Sequence, residues 1–436
     1  MSDWKRVEDY VIYSAKGITP NYVKKSQLMV LNQKCVRHNI IDYSFAQYTD
    51  DTKNVSEEKV LKVGDILFNS TGQGTAGRCA FVDKLPESLK VVTDSHMLVL
   101  RCKSYYEARC LNYVLYSFEK DIQAFMDGST GQGELDKVRL FNLLISIPKT
   151  PETLQNIANL LSKLDTKIEL NNQINTELEA MAKTLYDYWF IQFDFPDENG
   201  KPYKSLGGQM VYSETLKREI PKGWEADSIL RVSQLMGGGT PSKKNKTYWD
   251  GNIPFFTPTD ADNGAFILTT FDSITEEGLS HCSSSLFEKG TIFITARGSV
   301  GKTMIAAQQM AMNQSCYAFK PLQKINYPYL YFAASELVHY LKVKASGSVF
   351  DSIVTNDIKF TTLVIPSLEI IKLYGEKVSP LFEKILTNNQ ENQQLARLRD
   401  WLLPMLMNGQ VKVQDKFDKI PELLVAEPNQ EYGKPQ

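Results

Sequence analysis

The sequence predicts an α+β protein: two mixed α/β heads separated by two long antiparallel coiled-coil helices, laid out as a pseudo-twofold internal repeat. Three observations predict it. Leu164, Ile168, Leu178, Met181 and Leu185 form an apolar stripe at helical spacing, and Leu381, Ile385, Leu395, Leu398 and Leu402 repeat it at an offset of 217. Asn171 and Asn175 interrupt the first stripe, and Asn388 and Asn392 interrupt the second at the same offset. Ahead of each helix, a strand-like run opens into a polar glycine loop.

The elements follow in order. Residues 1–150 form the first head, 151–205 the central helix and turn, 206–365 the second head, 366–410 the C-terminal helix and 411–436 a tail. In the first head Gly64-Asp65-Ile66-Leu67-Phe68 reads as a strand, the loop runs through Gly72, Gly74 and Gly77, and Arg78 to Val82 returns as a strand. In the second head Gly290-Thr291-Ile292-Phe293-Ile294 leads into Thr295 to Lys302. Helical runs at Tyr105 to Phe118 and Pro328 to Val343 make each head mixed. The long helices span about Pro151 to Trp189 and about Pro366 to Met407, and paired asparagines in their seams exchange apolar contact for fixed register. Pro421, Pro428 and Pro435 mark the tail as frayed.

Composition bounds the function. The 436 residues exceed one core at the usual ~150 per domain. With 42% hydrophobic and 23% charged residues, the chain buries real cores and is not a disordered polymer. A net charge of −2 excludes a bulk electropositive field, so any polyanion is met by local patches. Residues 151–205, with five basic and nine acidic groups, are the acidic segment. Without an apolar leader or a run of ~18 to 20 apolar residues, a cytoplasmic protein free of membrane is expected. The six cysteines form no C-x-x-C pair and the four histidines no H-E-x-x-H motif, so no metal site is expected.

Two kinds of loop carry chemistry. Arg297, Ser299 and Lys302 lie in a segment with a relaxed phosphate-loop spacing. The matching place in the first head returns as a strand where a phosphate loop needs a helix, so a polar hairpin presenting these side chains is the better reading. Gly237 to Thr240, Pro241 and the lysines Lys243, Lys244 and Lys246 suit oxyanion contacts by amides and cations together. Gly17-Ile18-Thr19-Pro20 with Lys24 and Lys25 occupies a comparable place in the first head.

Trp189-Phe190-Ile191-Gln192-Phe193-Asp194-Phe195-Pro196, then Gly200-Lys201-Pro202-Tyr203, then Ile220-Pro221-Lys222-Gly223-Trp224 resembles the DNA-specificity subunit of type I restriction-modification systems. Gly238-Gly239-Thr240-Pro241, Tyr248-Trp249-Asp250-Gly251 and Arg297-Gly298-Ser299-Val300-Gly301 share that resemblance, whereas the first head departs from it with Gly-Ile-Thr-Pro and a looser loop from Thr71 to Arg78. The resemblance implies two target-recognition domains, each reading half of a split site on double-stranded DNA. It implies helices that set the spacer and dock two modification subunits, with restriction subunits joining. The chain itself is then expected to be non-catalytic and without cofactor, while S-adenosylmethionine, ATP and magnesium belong to partner subunits. The lack of any Pro-Pro dipeptide, and so of the Asp/Asn-Pro-Pro-aromatic tetrapeptide of amino-methyltransferases, agrees.

The expected DNA contacts are Lys24, Lys25, Ser70, Thr71, Gln73, Arg78 and Gln132 in the first head, and Lys243, Lys244, Lys246, Arg297, Ser299, Lys302, Ser346 and Ser348 in the second. A coiled-coil scaffold whose heads bind protein is the alternative, and a nucleotide-hydrolysing enzyme a distant third.

Overall fold

The computed structural model describes residues 4–52, 55–72, 74–127, 133–262, 264–344 and 352–413. The chain divides into two compact units, Met1–Lys167 with Leu395–Gln436, and Ile168–Gln394. Each unit therefore takes a head together with part of both long helices.

In the first unit a four-stranded antiparallel sheet runs in the order Val11–Lys16, Met97–Cys102, Ile66–Asn69, Cys79–Phe81. Met97–Cys102, Ile66–Asn69 and Cys79–Phe81 are buried on both faces, and the two-residue period of a strand sorts their side chains into two cores. Ile66, Phe68, Cys79, Phe81, Leu98 and Leu100 pack with Ala108, Leu111 and Leu115 of the helix Tyr105–Ser117. Leu67, Ala80, Met97 and Val99 turn the other way, onto Leu31, Val36 and Val91. A second sheet, ordered Lys90–Thr93, Leu28–Leu31, Gln47–Thr49, Tyr22–Val23, supplies that second layer. Thr150 Oγ1 accepts from Thr153 N at 3.3 Å, which starts the first long helix, Pro151–Tyr186, with proline at its first position. Its Leu154, Ile157, Ala158 and Leu161 share a core with Leu403, Leu406 and Met407 of the second long helix, Leu368–Met407. There Asp165 accepts from Arg399 Nη1 at 2.8 Å and from the Tyr113 hydroxyl at 2.6 Å.

The second unit repeats the plan. Its five-stranded sheet is ordered Ser233–Gly237, Cys316–Pro321, Ile292–Thr295, Thr303–Ala306, Phe266–Ile267. Ile292, Ile294, Ile305 and Phe319 face the helix Tyr327–Lys344, while Phe293, Met304, Ala306 and Ala318 face a separate core with Phe256 and Met312. The first long helix passes through a π-helical turn, Asp187–Ile191, into an aromatic cluster in which Phe195 stacks on Trp224 at 4.7 Å. The same register position in the first unit, directly before the opening strand, holds Trp4. Trp224 is 7% exposed and Trp4 67%.

The helical seam is largely where the stripes place it. Asn171, Asn175, Asn388 and Ile385 are buried, and Leu178, Leu185 and Leu381 pack on the second unit's core. Leu164 and Leu402 do the same in the first, while Ile168, Asn392 and Leu395 are half-buried. Two positions differ. Met181 is 59% exposed, because Ala182 and Tyr186 carry the inward stripe after Leu178 and rotate Met181 off it. Leu398 is 42% exposed, because Arg399 takes the inward position and pairs with Asp165. The second helix ends at Met407, where Gly409 adopts a left-handed φ of 77°. The tail beyond Val413 lies outside the described residues.

Among the described residues no helix is long and apolar enough to cross a membrane, and no three His, Cys, Asp or Glu gather as a metal site requires. The cysteines are unpaired, and burial pushes the thiols of Cys102, Cys110 and Cys316 up to about 12, away from reactive thiolate.

Candidate nucleic-acid interface

Both heads build the same loop frame from backbone hydrogen bonds. In the first, Gly77 N donates to Asn69 O at 2.8 Å and Asn69 N to Arg78 O at 2.9 Å. In the second, Gly301 N donates to Thr295 O at 2.8 Å and Thr295 N to Lys302 O at 3.0 Å. Gly77 and Gly301 have φ of 87° and 80°, so each hairpin closes on a left-handed residue that favours glycine. Strands Cys79–Phe81 and Thr303–Ala306 follow. A phosphate loop would need a helix there, so the spacing at Ala296 to Thr303 is a hairpin.

A second turn abuts each hairpin. His96 N donates to Asp94 Oδ1 at 3.0 Å, and Ser315 N to Asn313 Oδ1 at 2.9 Å, the same side-chain-closed turn in both heads. The hairpins dock on these turns through Ser70 N to His96 O and Ala296 N to Ser315 O, both 2.8 Å. On the other side Leu135 N donates to Ser70 O and Ile353 N to Ala296 O, at 2.8 and 2.9 Å.

The glycine of each Thr-Pro loop crosses this turn. A Cβ on Gly17 would lie 2.1 Å from Thr93 O, and one on Gly238 would lie 2.1 Å from Asn313 O. Only glycine allows the passage, which explains the motif's presence in both heads. The equivalence of His96 with Ser315, and of Thr71 with Arg297, follows from these bonds.

The side chains divide. Lys24, Lys25, Lys243, Lys244, Lys246, Arg297 and Ser299 are exposed, with Lys243 Nζ 5.5 Å above the Trp249 ring. Thr71 is half-buried at the hairpin's start. Arg78 is half-buried beside Glu119, whose carboxyl burial raises and Arg78 partly restores. Ser70 is corrected: at 3% exposure its side chain is inside the fold, its counterpart is the equally buried Ala296, and its backbone holds the loop. Lys302 is drawn inward, its ammonium donating to Ala261 O at 2.8 Å and Asp262 O at 3.3 Å, so its charge ties two loops together. Gln73, Gln132, Ser346 and Ser348 lie outside the described residues.

Sequence reasoning missed His96, Gln33 and Gln314, and placed Thr240 in a loop without naming it as a contact. Thr71 Oγ1 lies 2.9 Å from His96 Nδ1 and 2.6 Å from Gln33 Nε2, and the Thr240 hydroxyl bonds Gln314 Oε1. The signal was faint: an Asp or Asn two residues before His96 or Ser315, at the end of a buried run.

A duplicated α/β head, each copy carrying a hairpin and a polar turn on one frame, with cations on the neighbouring loops, defines a two-headed recognition protein. The model of the type I restriction modification DNA specificity domain matches residues 3–180 and 221–397. The chain belongs to that family and is a DNA-recognising specificity subunit of a type I restriction-modification system. The specificity subunit of the HindI type I restriction enzyme from Haemophilus influenzae is 28% identical over 94% of this chain and 100% of its own length. That of MjaIX from Methanocaldococcus jannaschii is 26% identical over 70% and 69%. The crystal structure of a type I S subunit from M. genitalium, 16% identical, covers 93% of this chain and 96% of that one with a TM-score of 0.51, and so shares the fold.

Proposed function

We propose that each head reads one half of a bipartite site on double-stranded DNA, that the long helices set the spacer and dock two modification subunits, and that restriction subunits join this assembly in the cytoplasm. The chain itself is non-catalytic, and S-adenosylmethionine, ATP and magnesium act in its partners. One observation carries the reading: the same backbone frame occurs twice, with different side chains on it, His96 and Thr71 in one head and Ser315 and Arg297 in the other. A repeated frame with changed side chains suits two half-sites of different sequence, because base edges are read by side chains while backbone and lysines set register on phosphate. The scaffold alternative has no observation in its favour.

The test is the methylome of a cell expressing the chain with its cognate modification subunit, against the same cell lacking the chain. A split adenine-methylated motif that appears only with the chain is the expected result. No new motif despite a soluble complex would count against the reading.

A further inference from the structure

In the first head a chain of hydrogen bonds runs outward from the core to one exposed imidazole. It begins at Asn69, the buried end of the strand Ile66–Asn69, whose Nδ2 donates to Gln33 O at 3.1 Å and fixes that residue's backbone. Gln33 Nε2 in turn donates to the carbonyl of Thr71 and, at 2.6 Å, to its hydroxyl oxygen. The Thr71 hydroxyl keeps its own proton free to donate to His96 Nδ1, 2.9 Å away. A neutral imidazole that accepts at Nδ1 carries its proton on Nε2. His96 is exposed, its backbone is pinned by Asp94 and Ser70, and its Nε2 bonds no described residue. With Thr71 donating to Nδ1, the relay presents one N–H donor, Nε2, in a fixed position at the surface, next to the hairpin.

Resting on the reading that the heads recognise DNA, we infer that His96 is a specificity-determining residue of the first half-site. Its Nε2–H donates to an acceptor on a base edge in the major groove, and Gln33 and Thr71 act as positioning residues. Such a donor suits N7 or O6 of guanine, N7 of adenine or O4 of thymine, and rejects the amino group of cytosine. The second head offers a parallel one residue earlier on the equivalent turn: Gln314, next to Ser315, is exposed, and the Thr240 hydroxyl occupies its Oε1, leaving Nε2 to donate. Both heads thus fix the orientation of a side-chain donor on the same turn by means of a threonine hydroxyl.

The experiment is methylome mapping with the full chain and its cognate modification subunit, comparing wild type, His96→Ala, Thr71→Val and Thr71→Ser. His96→Ala is expected to lower discrimination about fivefold to tenfold at one position of one half-site, the other half keeping its sequence, as loss of one hydrogen bond implies. Thr71→Val should relax the same position and Thr71→Ser should retain it, a pattern that a merely structural threonine would not give. An unchanged motif in His96→Ala overturns the inference. So does methylation lowered uniformly across sequences, which would place His96 on a phosphate. A wild-type chain that confers no split motif overturns the reading beneath it, and this inference with it.

Discussion

Asn171 donates through Nδ2 to Oδ1 of Asn392 at 2.9 Å, and Asn388 donates through Nδ2 to Oδ1 of Asn175 at 2.8 Å, so exchanging the two helices turns one bond into the other. A second couple obeys the same exchange: Asn175 Nδ2 to Asn389 Oδ1 at 2.7 Å and Asn392 Nδ2 to Asn172 Oδ1 at 2.8 Å. The duplication in sequence has become a hydrogen-bonded ladder between antiparallel helices. The exchange breaks at one rung, where Asn171 also donates to Glu391 at 2.8 Å, because the position equivalent to Glu391 is Ile174.

The ladder should hold helix register. Asn388→Ala strips a buried acceptor on Asn175 of its donor and should cost about 1–3 kcal/mol. Urea unfolding measures the loss. The double change Asn175→Leu with Asn388→Leu should cost less than the two single changes added, since no polar atom of that pair is then left buried. A cost near zero for Asn388→Ala would show that the ladder does not hold the helices.

Helix length should measure DNA. One helical turn inserted before Asn171, matched by one after Asn392, keeps the ladder and adds about 5 Å to each helix. The untouched spacer between half-sites should lengthen in methylome mapping while both half-sites stay the same. An unchanged spacer would remove the helices from that role.

Arg297 stands where the first head has Thr71, exposed at the start of the hairpin. If it reads guanine through two bonds, Arg297→Ala should cost about 1–3 kcal/mol and relax one base position in the second half-site. Binding measured against single-base variants of the site decides this, because a loss equal for every variant assigns Arg297 to phosphate.

Burial holds the Glu336 carboxyl above its ordinary range, and the Tyr186 hydroxyl donates to it at 2.8 Å. With the folded value above the unfolded one, the folded state binds the extra proton. This contribution to stability is full below the ordinary glutamate range and is lost as pH rises through the raised value. Glu336→Gln still accepts from Tyr186 and carries no charge to desolvate, so it should be the more stable protein near pH ~7. Melting temperatures across pH ~5 to 8 should show the wild-type deficit shrinking on acidification. A constant difference would mean that Glu336 does not titrate in that window.

By itself the sequence determined the repeat, the helices and the hairpins. Those features are written in the sequence as a period of 3.6 for the stripes, short continuous apolar runs such as Ile66–Phe68 bounded by glycine loops, and the offset of 217 that linked the copies. It also located the Thr-Pro loops, because glycine is demanded where an added Cβ would lie 2.1 Å from a facing backbone carbonyl oxygen, as at Gly17 and Gly238. Periodicity misplaced Met181 and Leu398 by one residue, since a neighbouring Ala182 or Arg399 with the right partner outweighs a larger apolar side chain.

Tertiary structure alone decided which polar residues face out. Ser70 and Lys302 belong to polar loops in the sequence, yet one is enclosed and the other is spent on two carbonyls, because the hairpin docks on a turn about 25 residues away in Ser70's case and the Lys302 ammonium reaches a loop some 40 residues away. The same docking brought Gln33, Thr71 and His96 to one place from three separate strands' ends. A hydrogen bond across such separations has no period and no motif. It exists only once the sheets have packed, and there the chemistry of recognition was set.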